Sequence, residues 1–450
     1  MSIKQDLLKA RSYLTVIIGF MLAFSIVFYV EKHTNPANMK LPQLQLSENF
    51  PTLPTTRGLD YQEAVWARVA WQYFVNNTQE SGLVNSADGL PYTSLWDCGS
   101  YLLALISAHQ LNVIDDKELD ARMQKALMAL SSLPLHQGNV PYLYYSTTDL
   151  KPLSTAYDVD YSLVDLGRLL VAFKVIIWRY PQYNALVQQT VKHWDLAALF
   201  DMVKDNASLK SRHKQAHFKP NNYRSGYGYS LYAINGLSLI NTWAGIVLTN
   251  SRQQFDFITV NGIDIPDDGK ATIRGKPYPV INSLPYILSG LENGFNTESA
   301  EISWRIIQVQ KMINQSSDRH SYVNMGLTNI LSVVGKKQPN SGALPSAQDS
   351  ALPRNKVALS LSTQAAFGWN ALFSTTWTQQ VRQQAATLFV PGRGWIEGVE
   401  AQSQQPSKLI TATTNAVILE SLMYTAQGKM VCFACQNTET ASAEQSSGSH

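Results

Sequence analysis

The sequence predicts an all-α fold, and three observations carry that prediction. From Asp60 onward, apolar residues recur at the helical period over most of the chain. Strand-like patterning is confined to two short runs, 140–146 (VPYLYYS) and 255–260 (FDFITV), which read as strands within connecting loops. No G-x-G-x-x-G, P-loop or H-E-x-x-H pattern points to a nucleotide-binding α/β fold or a zinc hydrolase.

Taken in order, residues 1–12 carry Lys4, Lys9 and Arg11 against the single acid Asp6 and read as a cytoplasmic N-terminus. Residues 13–30 (YLTVIIGFMLAFSIVFYV) are uncharged and close to the ~17-residue minimum for a membrane-crossing helix. The cations before this run favour insertion with the N-terminus inside. Its bulky end at Phe28, Tyr29 and Val30 does not fit the small-residue cleavage site of a signal peptide. The expectation is an N-terminal transmembrane signal-anchor. It would make a single-pass protein of the bacterial inner membrane, with residues 13–30 as the membrane contact and the C-terminal domain in the periplasm. Residues 31–58 carry Pro36, Pro42, Pro51 and Pro54 and read as a linker.

Residues 59–430 read as one helical domain. Asp60 is placed to cap a first helix with stripes Val65, Val69, Tyr73 and Trp66, Ala70, Phe74. The period returns over 97–111 and over 116–132, where Leu119, Met123, Ala126, Leu127 and Leu130 share a face. Pro181 separates helices expected at 162–179 and 182–203. Further helices are expected near 229–247, 299–315, 322–334, 362–389 and 410–427. Alternating helix pairs of this kind agree with a toroid of helical hairpins. The last fifteen residues, QNTETASAEQSSGSH, have no apolar face, and 431–450 read as a disordered tail.

Composition narrows the function. Of 450 residues, 36 are Lys or Arg and 33 are Asp or Glu, a net charge of +3 that excludes a general nucleic-acid binder. Charged residues are only 15% of the chain against a typical ~25%, which leaves a surface of neutral hydrogen-bonding groups. Three cysteines exclude a disulfide scaffold. Cys98 reads as a buried thiol, and Cys432 with Cys435 could close a small disulfide loop. No cofactor motif is present, and His109, His136, His193 and His217 lack metal-ligand spacing, so neither a cofactor nor a metal is expected.

Five clusters bear residues suited to sugar chemistry. Trp96 and Asp97 precede an apolar helix, where Asp97 is either a cap or an acid facing a sugar stacked on Trp96. Asp158, Asp160 and Asp165 surround the start of the 162–179 helix, and Asp165 and Arg168 can pair on one helix face. Tyr227 and Tyr229 lie in a Gly-Tyr segment that is either a sugar platform or a packed turn. Glu292 follows Pro285-Tyr286 in a Gly-containing stretch. Trp395, Glu397 and Glu400 share a Gly-rich loop, and Asn415 opens the last helix. Glycoside hydrolysis commonly uses two carboxylates. The catalytic candidates are therefore Asp97, Glu292 and Glu397. The substrate-binding candidates are Trp96, Tyr227, Tyr229, Trp395, Glu400 and Asn415.

Seven segments occur in an order that resembles the bacterial domain of unknown function 3131 family. The longest are WDCGSYLLALISAHQL (96–111), LPYILSGLENGF (284–295), GRGWIEGVE (392–400) and TNAVILESLMY (414–424). VDLGRLL (164–170), SGYGYSLYA (225–233) and QAAFGWNAL (364–372) fall between them. The family is similar to glucoamylase-like and endo-β-1,2-glucanase proteins, and the resemblance implies a single (α/α)6-type toroid with aromatic-rich loops and a role with bacterial glucans or exopolysaccharides. Three acids of the family pattern are absent. Ser230 follows Gly-Tyr, Leu284 stands in Ser-Leu-Pro, and residues 318–325 (DRHSYVNM) hold no Ser-Glu-Asp cluster. Two functional expectations follow. The first is a membrane-anchored periplasmic glycoside-hydrolase-like protein working by carboxylate acid/base chemistry. The second is a catalytically inactive toroid that binds polysaccharide, or scaffolds an envelope polysaccharide-synthesis or secretion complex.

Overall fold

The computed structural model describes residues 46–153, 161–195, 226–238, 257–268, 270–273, 276–279, 282–315, 324–325, 358–400 and 403–431. The chain divides into Met1–Ser47 and Glu48–His450, and the helical body lies in the second unit.

Helix starts are set by side-chain caps three residues upstream of a backbone donor. Helix α1 (Tyr61–Asn77) opens on a reciprocal box: the Glu63 amide donates to Asp60 at 2.8 Å, and the Asp60 amide donates to Glu63 at 3.2 Å. Ser94 and Ser162 start α2 (Leu95–Gln110) and α4 (Leu163–Arg179) by accepting from the amides of Asp97 and Asp165. Asp115 caps α3 (Asp116–Ser131). Leu119, Met123, Ala126, Leu127 and Leu130 of α3 are buried, as the stripe predicts.

The remaining helices are α5 (Asn184–Lys192), α6 (Tyr227–Ser238), α7 (Leu284–Leu288, continued by a π turn over Ser289–Asn293), α8 (Thr297–Gln315), α9 (Thr363–Leu372), α10 (Thr376–Ala385) and α11 (Ala412–Gln427). Six of them form a closed ring: α2 packs on α4, α4 on α6, α6 on α7, α7 on α9, α9 on α11, and α11 returns to α2. The inner helices α2 and α11 are buried on nearly every side, which is why their sequences are apolar all round rather than striped. Helices α3, α5, α8 and α10 pack outside this ring, and α1 lies against α11 and α2. Helices α4 and α6 approach each other closely. A Cβ at Gly236 would stand 2.2 Å from the Gly167 carbonyl oxygen, so only glycine fits there.

Both expected strand runs pair, Tyr144–Ser146 with a distant strand and the others with near neighbours. Tyr144–Ser146 joins Tyr92–Ser94, Val140–Pro141 joins Leu135–His136, and Phe257–Val260 joins Ile263–Pro266. Ala358–Ser362 lies between Gly398–Glu400 and Asn324–Met325, a small sheet against the start of α9 that periodicity did not reveal. The end of the Pro-containing segment packs on the body. Phe50 meets Trp304 and Phe373 edge-on, and the Arg57 amide donates to the Thr425 carbonyl.

Several expectations need correction. Among the described residues no helix is long and apolar enough to cross a membrane, and residues 13–30 lie outside them. The single-pass anchor, the inner-membrane partnership and the periplasmic location are therefore withdrawn. The single helix expected over 362–389 is two. The chain turns extended at Phe373, and Thr375 caps α10 by accepting from the Thr378 amide. Of the helix expected at 322–334, only 324–325 are described, and they are strand. Asp158, Asp160, His217, Cys432 and Cys435 lie outside the described residues.

Candidate functional site at the mouth of the ring

The first turns of the inner helices meet at one end of the ring. At the junction of α2 and α11, the carboxylate of Asp97 is buried and accepts from Ser86 at 2.5 Å, Ser94 at 2.6 Å and Thr413 at 2.9 Å. Asp97 is thus the third residue of a Ser94-capped turn, and its other contacts tie α11 to α2. Below it lies Trp96, fully buried, with Tyr229 and Tyr232 at ring distances of 5.7 and 5.6 Å and the Arg168 guanidinium 4.9 Å above its face.

Arg168 is the centre of a charged cluster inside the ring. It donates to Glu292 at 2.6 Å, Glu420 at 2.8 Å, Ser100 at 2.7 Å and Tyr232 at 3.0 Å, and all three ionic side chains are out of contact with solvent. The Tyr232 hydroxyl donates to the second Glu292 oxygen at 2.6 Å. Burial pushes Glu420 well above the usual carboxylate range; Arg168 opposes that shift and the neighbouring Glu292 adds to it. Glu292 reaches Arg168 from the π turn that follows α7.

Glu397 is also buried. Its carbonyl accepts from the Thr363 amide at 3.0 Å, so it fixes the loop against the start of α9. Trp395 is buried among Trp66, Phe367 and Phe389, and its amide donates to Asn415 Oδ1 at 2.8 Å. Asn415 is buried as well, and its amide group also holds the Thr411 carbonyl. Glu400 is partly exposed and accepts from Ser403. Tyr227 is buried with its ring 6.4 Å from Phe257. Cys98 is buried too, and burial pushes its thiol up to about 12, which makes it unreactive.

Open space lies elsewhere. A narrow cleft of about 20 Å³, room for about one water, opens where α6, α7 and α9 begin, bounded by Tyr229, Asn282, Ser283, Leu284, Ser362 and Gln364. A second space of about 90 Å³ adjoins it along α9, toward α8 and α10, and shares Ser362 and Ala365 with it. Among the described residues, neither is lined by an ionisable side chain other than Tyr229. Of the residues singled out in the sequence, only Tyr229 borders this space.

Asp268 was not singled out, and it sits just behind the cleft wall. It accepts from the Gly228 amide at 3.0 Å and the Asn282 amide at 3.2 Å, joining the starts of α6 and α7. Gly226, at φ +106°, brings the backbone against it; a Cβ there would lie 2.7 Å from the Asp268 carboxylate. Burial raises Asp268 to about 7, although both amides favour its charged form. No local motif marks it. Glu420 did carry a signal, as the single acid inside a mostly apolar helix. Among the described residues, no group of three or more His, Cys, Asp or Glu could hold a metal ion.

The family model for a protein of unknown function, DUF3131, matches residues 65–428. The fold is shared with a putative glucoamylase of Bacteroides uniformis (TM-score 0.55, 11% identity, 83% of this chain and 94% of that one). A putative glucoamylase of Bacteroides caccae is similar at TM-score 0.53 and 12% identity, covering 82% and 94%. An endo-β-1,2-glucanase of Chitinophaga pinensis is similar at TM-score 0.51 and 12% identity, covering 82% and 93%. No match was found among curated protein sequences.

Proposed function

Because the chain belongs to the DUF3131 family of proteins of unknown function, whose activity cannot be taken over from a name, we propose from its own geometry that it is a non-hydrolytic toroid that binds a neutral glycan at the mouth cleft. One observation carries this reading: among the described residues the cleft is lined by amides, hydroxyls, Tyr229 and the apolar Leu284, Leu359 and Ala365, and by no carboxylate. Leu284 occupies a position where the resembled family pattern has an acid. The acids that remain, Asp97, Glu292 and Glu397, are buried behind the wall, and the first two hold helices together through Thr413 and Arg168. Hydrolysis of a glycosidic bond needs a proton donor within reach of the leaving oxygen, and losing that donor typically costs ~10²–10⁴-fold in rate.

Neutral amides and hydroxyls beside an aromatic ring match the alternating hydroxyl and C–H faces of a hexose. The similarity in fold to two putative glucoamylases and an endo-β-1,2-glucanase makes glucans the first ligands to try. The test is to titrate the purified full chain with linear glucan oligosaccharides while assaying the same mixtures for new reducing ends. Saturable binding without product is expected. Sustained turnover that a Glu292→Gln or Glu397→Gln variant loses would overturn the reading.

A further inference from the structure

We infer that residues 48–58 are a detachable strap, docked on the helical body at two separated contacts and released from both together while the ring stays folded. The first ground is the kind of segment it is. Residues 48–58 form neither helix nor strand, and none of them is fully buried. Phe50, Pro51, Leu53 and Pro54 are half-buried, and the rest are exposed. Pro51 and Pro54 carry no N–H and favour an extended backbone, so a strap that lifts off has few backbone bonds to lose.

The second ground is the apolar contact. The Phe50 ring lies 6.3 Å from Trp304 of α8 and 6.0 Å from Phe373 at the end of α9. Beside it the Trp304 indole N–H donates to Asn49 Oδ1 at 3.2 Å. The body beneath is packed without this help. Phe373 also meets Trp304 at 5.8 Å, Phe295 at 5.5 Å and Trp369 at 6.3 Å. Phe50 therefore covers a face that other rings already hold in place.

The third ground is the polar contact. The Glu63 carboxylate, enclosed at the start of α1, accepts two bonds from Arg57, both at 2.7 Å, and one from Arg382 of α10 at 2.7 Å. The Arg57 side chain is 50% exposed, whereas that of Arg382 is 21% exposed and lies 5.3 Å over the Trp66 ring. When Arg57 leaves, Glu63 keeps Arg382 and the Asp60 amide. Release thus strands no buried charge, which is the cost that would otherwise hold the strap down. A half-exposed ion pair contributes little by itself.

The experiment is native-state hydrogen exchange on the full chain, read at the residue-57 amide, bonded to the Thr425 carbonyl, and at the Trp304 indole N–H. These reporters lie at the two contacts. Both should exchange faster than the amides of α2 and α11 and depend less on low urea, because local release exposes little surface. Phe50→Ala should speed both reporters about tenfold, and Arg57→Gln should speed both roughly two- to fivefold after correction for intrinsic rates. The amides of α2 and α11 should not change in either variant. Reporters that exchange as slowly as α2 and α11, with the same urea dependence, would make the segment part of the cooperative core and overturn the strap. So would a variant that speeds neither reporter, or only the nearer one.

Discussion

Arg168 places a cation out of water between two acids, and the bookkeeping of charge there decides what each acid does. Burial and the neighbouring Glu292 favour the neutral form of Glu420, so Glu420 is the more readily replaced of the two acidic partners of Arg168. The two substitutions should therefore differ. Glu292→Gln takes a counter-charge from a buried guanidinium and is expected to lower stability by about 3–5 kcal/mol. Glu420→Gln puts a neutral group where the neutral form is favoured and is expected to cost no more than about 1.5 kcal/mol. Urea unfolding of both variants measures this, and equal losses would contradict the difference between the two acids. The sequence marked Glu292 through a recognisable segment and set Glu420 as a single acid in TNAVILESLMY. It could not show that both meet Arg168, which lies 124 positions from the first and 252 from the second. Trp96 and Trp395 illustrate the same limit. A tryptophan beside glycine and acid has the composition of a sugar platform, yet burial depends on what the ring of helices brings against it, and both indoles are enclosed.

Helix existence was readable because caps and stripes are local. Asp60 and the α3 stripe needed only neighbours within one turn, and both lie where periodicity puts them. The break between α9 and α10 was hidden because Ser374, Thr375 and Thr376 interrupt an otherwise helical pattern without Gly or Pro. The capping contacts of Thr375 and Thr378 appear only in the folded turn. Asp268 belongs to this scale as well, since it acts by tying two helix starts together. Its carboxyl is raised from 3.8 to about 7 by burial, so between those values the folded state holds a proton that the unfolded chain has lost. Stability from this group is fully present below about pH 4, falls as pH rises toward about 7, and is level above that. Asp268→Asn cannot ionise. The difference in urea midpoint between wild type and Asp268→Asn should therefore shift in favour of the variant as pH rises from 4 to 7, and stay constant from 7 to 8.5. A difference independent of pH across that range would show that Asp268 is ionised throughout.

A closed ring has no free end, so its first and last inner helices stabilise each other across most of the sequence. The α2–α11 seam is held by the Thr413 hydroxyl on Asp97, 316 positions apart, and by the apolar faces of two almost wholly buried helices. A solenoid of helical hairpins would lose one repeat at a time, because each repeat contacts only its neighbours. A ring instead exposes two core faces when one helix is removed. Asp97→Ala is the mild form of this break. It leaves the hydroxyls of Ser86, Ser94 and Thr413 without their shared acceptor inside the protein, at about 1–3 kcal/mol for each donor that finds no other partner. A chain ending at Ser407, before α11, is the severe form, since it removes the counterpart of α9, α1 and α2 at once. Asp97→Ala is expected to unfold in a single transition at lower urea while its folded fraction binds glucan as wild type does, because Asp97 does not border the cleft. The truncated chain is expected to show helical circular dichroism without a cooperative transition. A truncated chain that unfolds as sharply as the full one would mean that the ring is held by neighbour contacts alone. Glycan binding lost selectively in folded Asp97→Ala would return that carboxylate to the binding site.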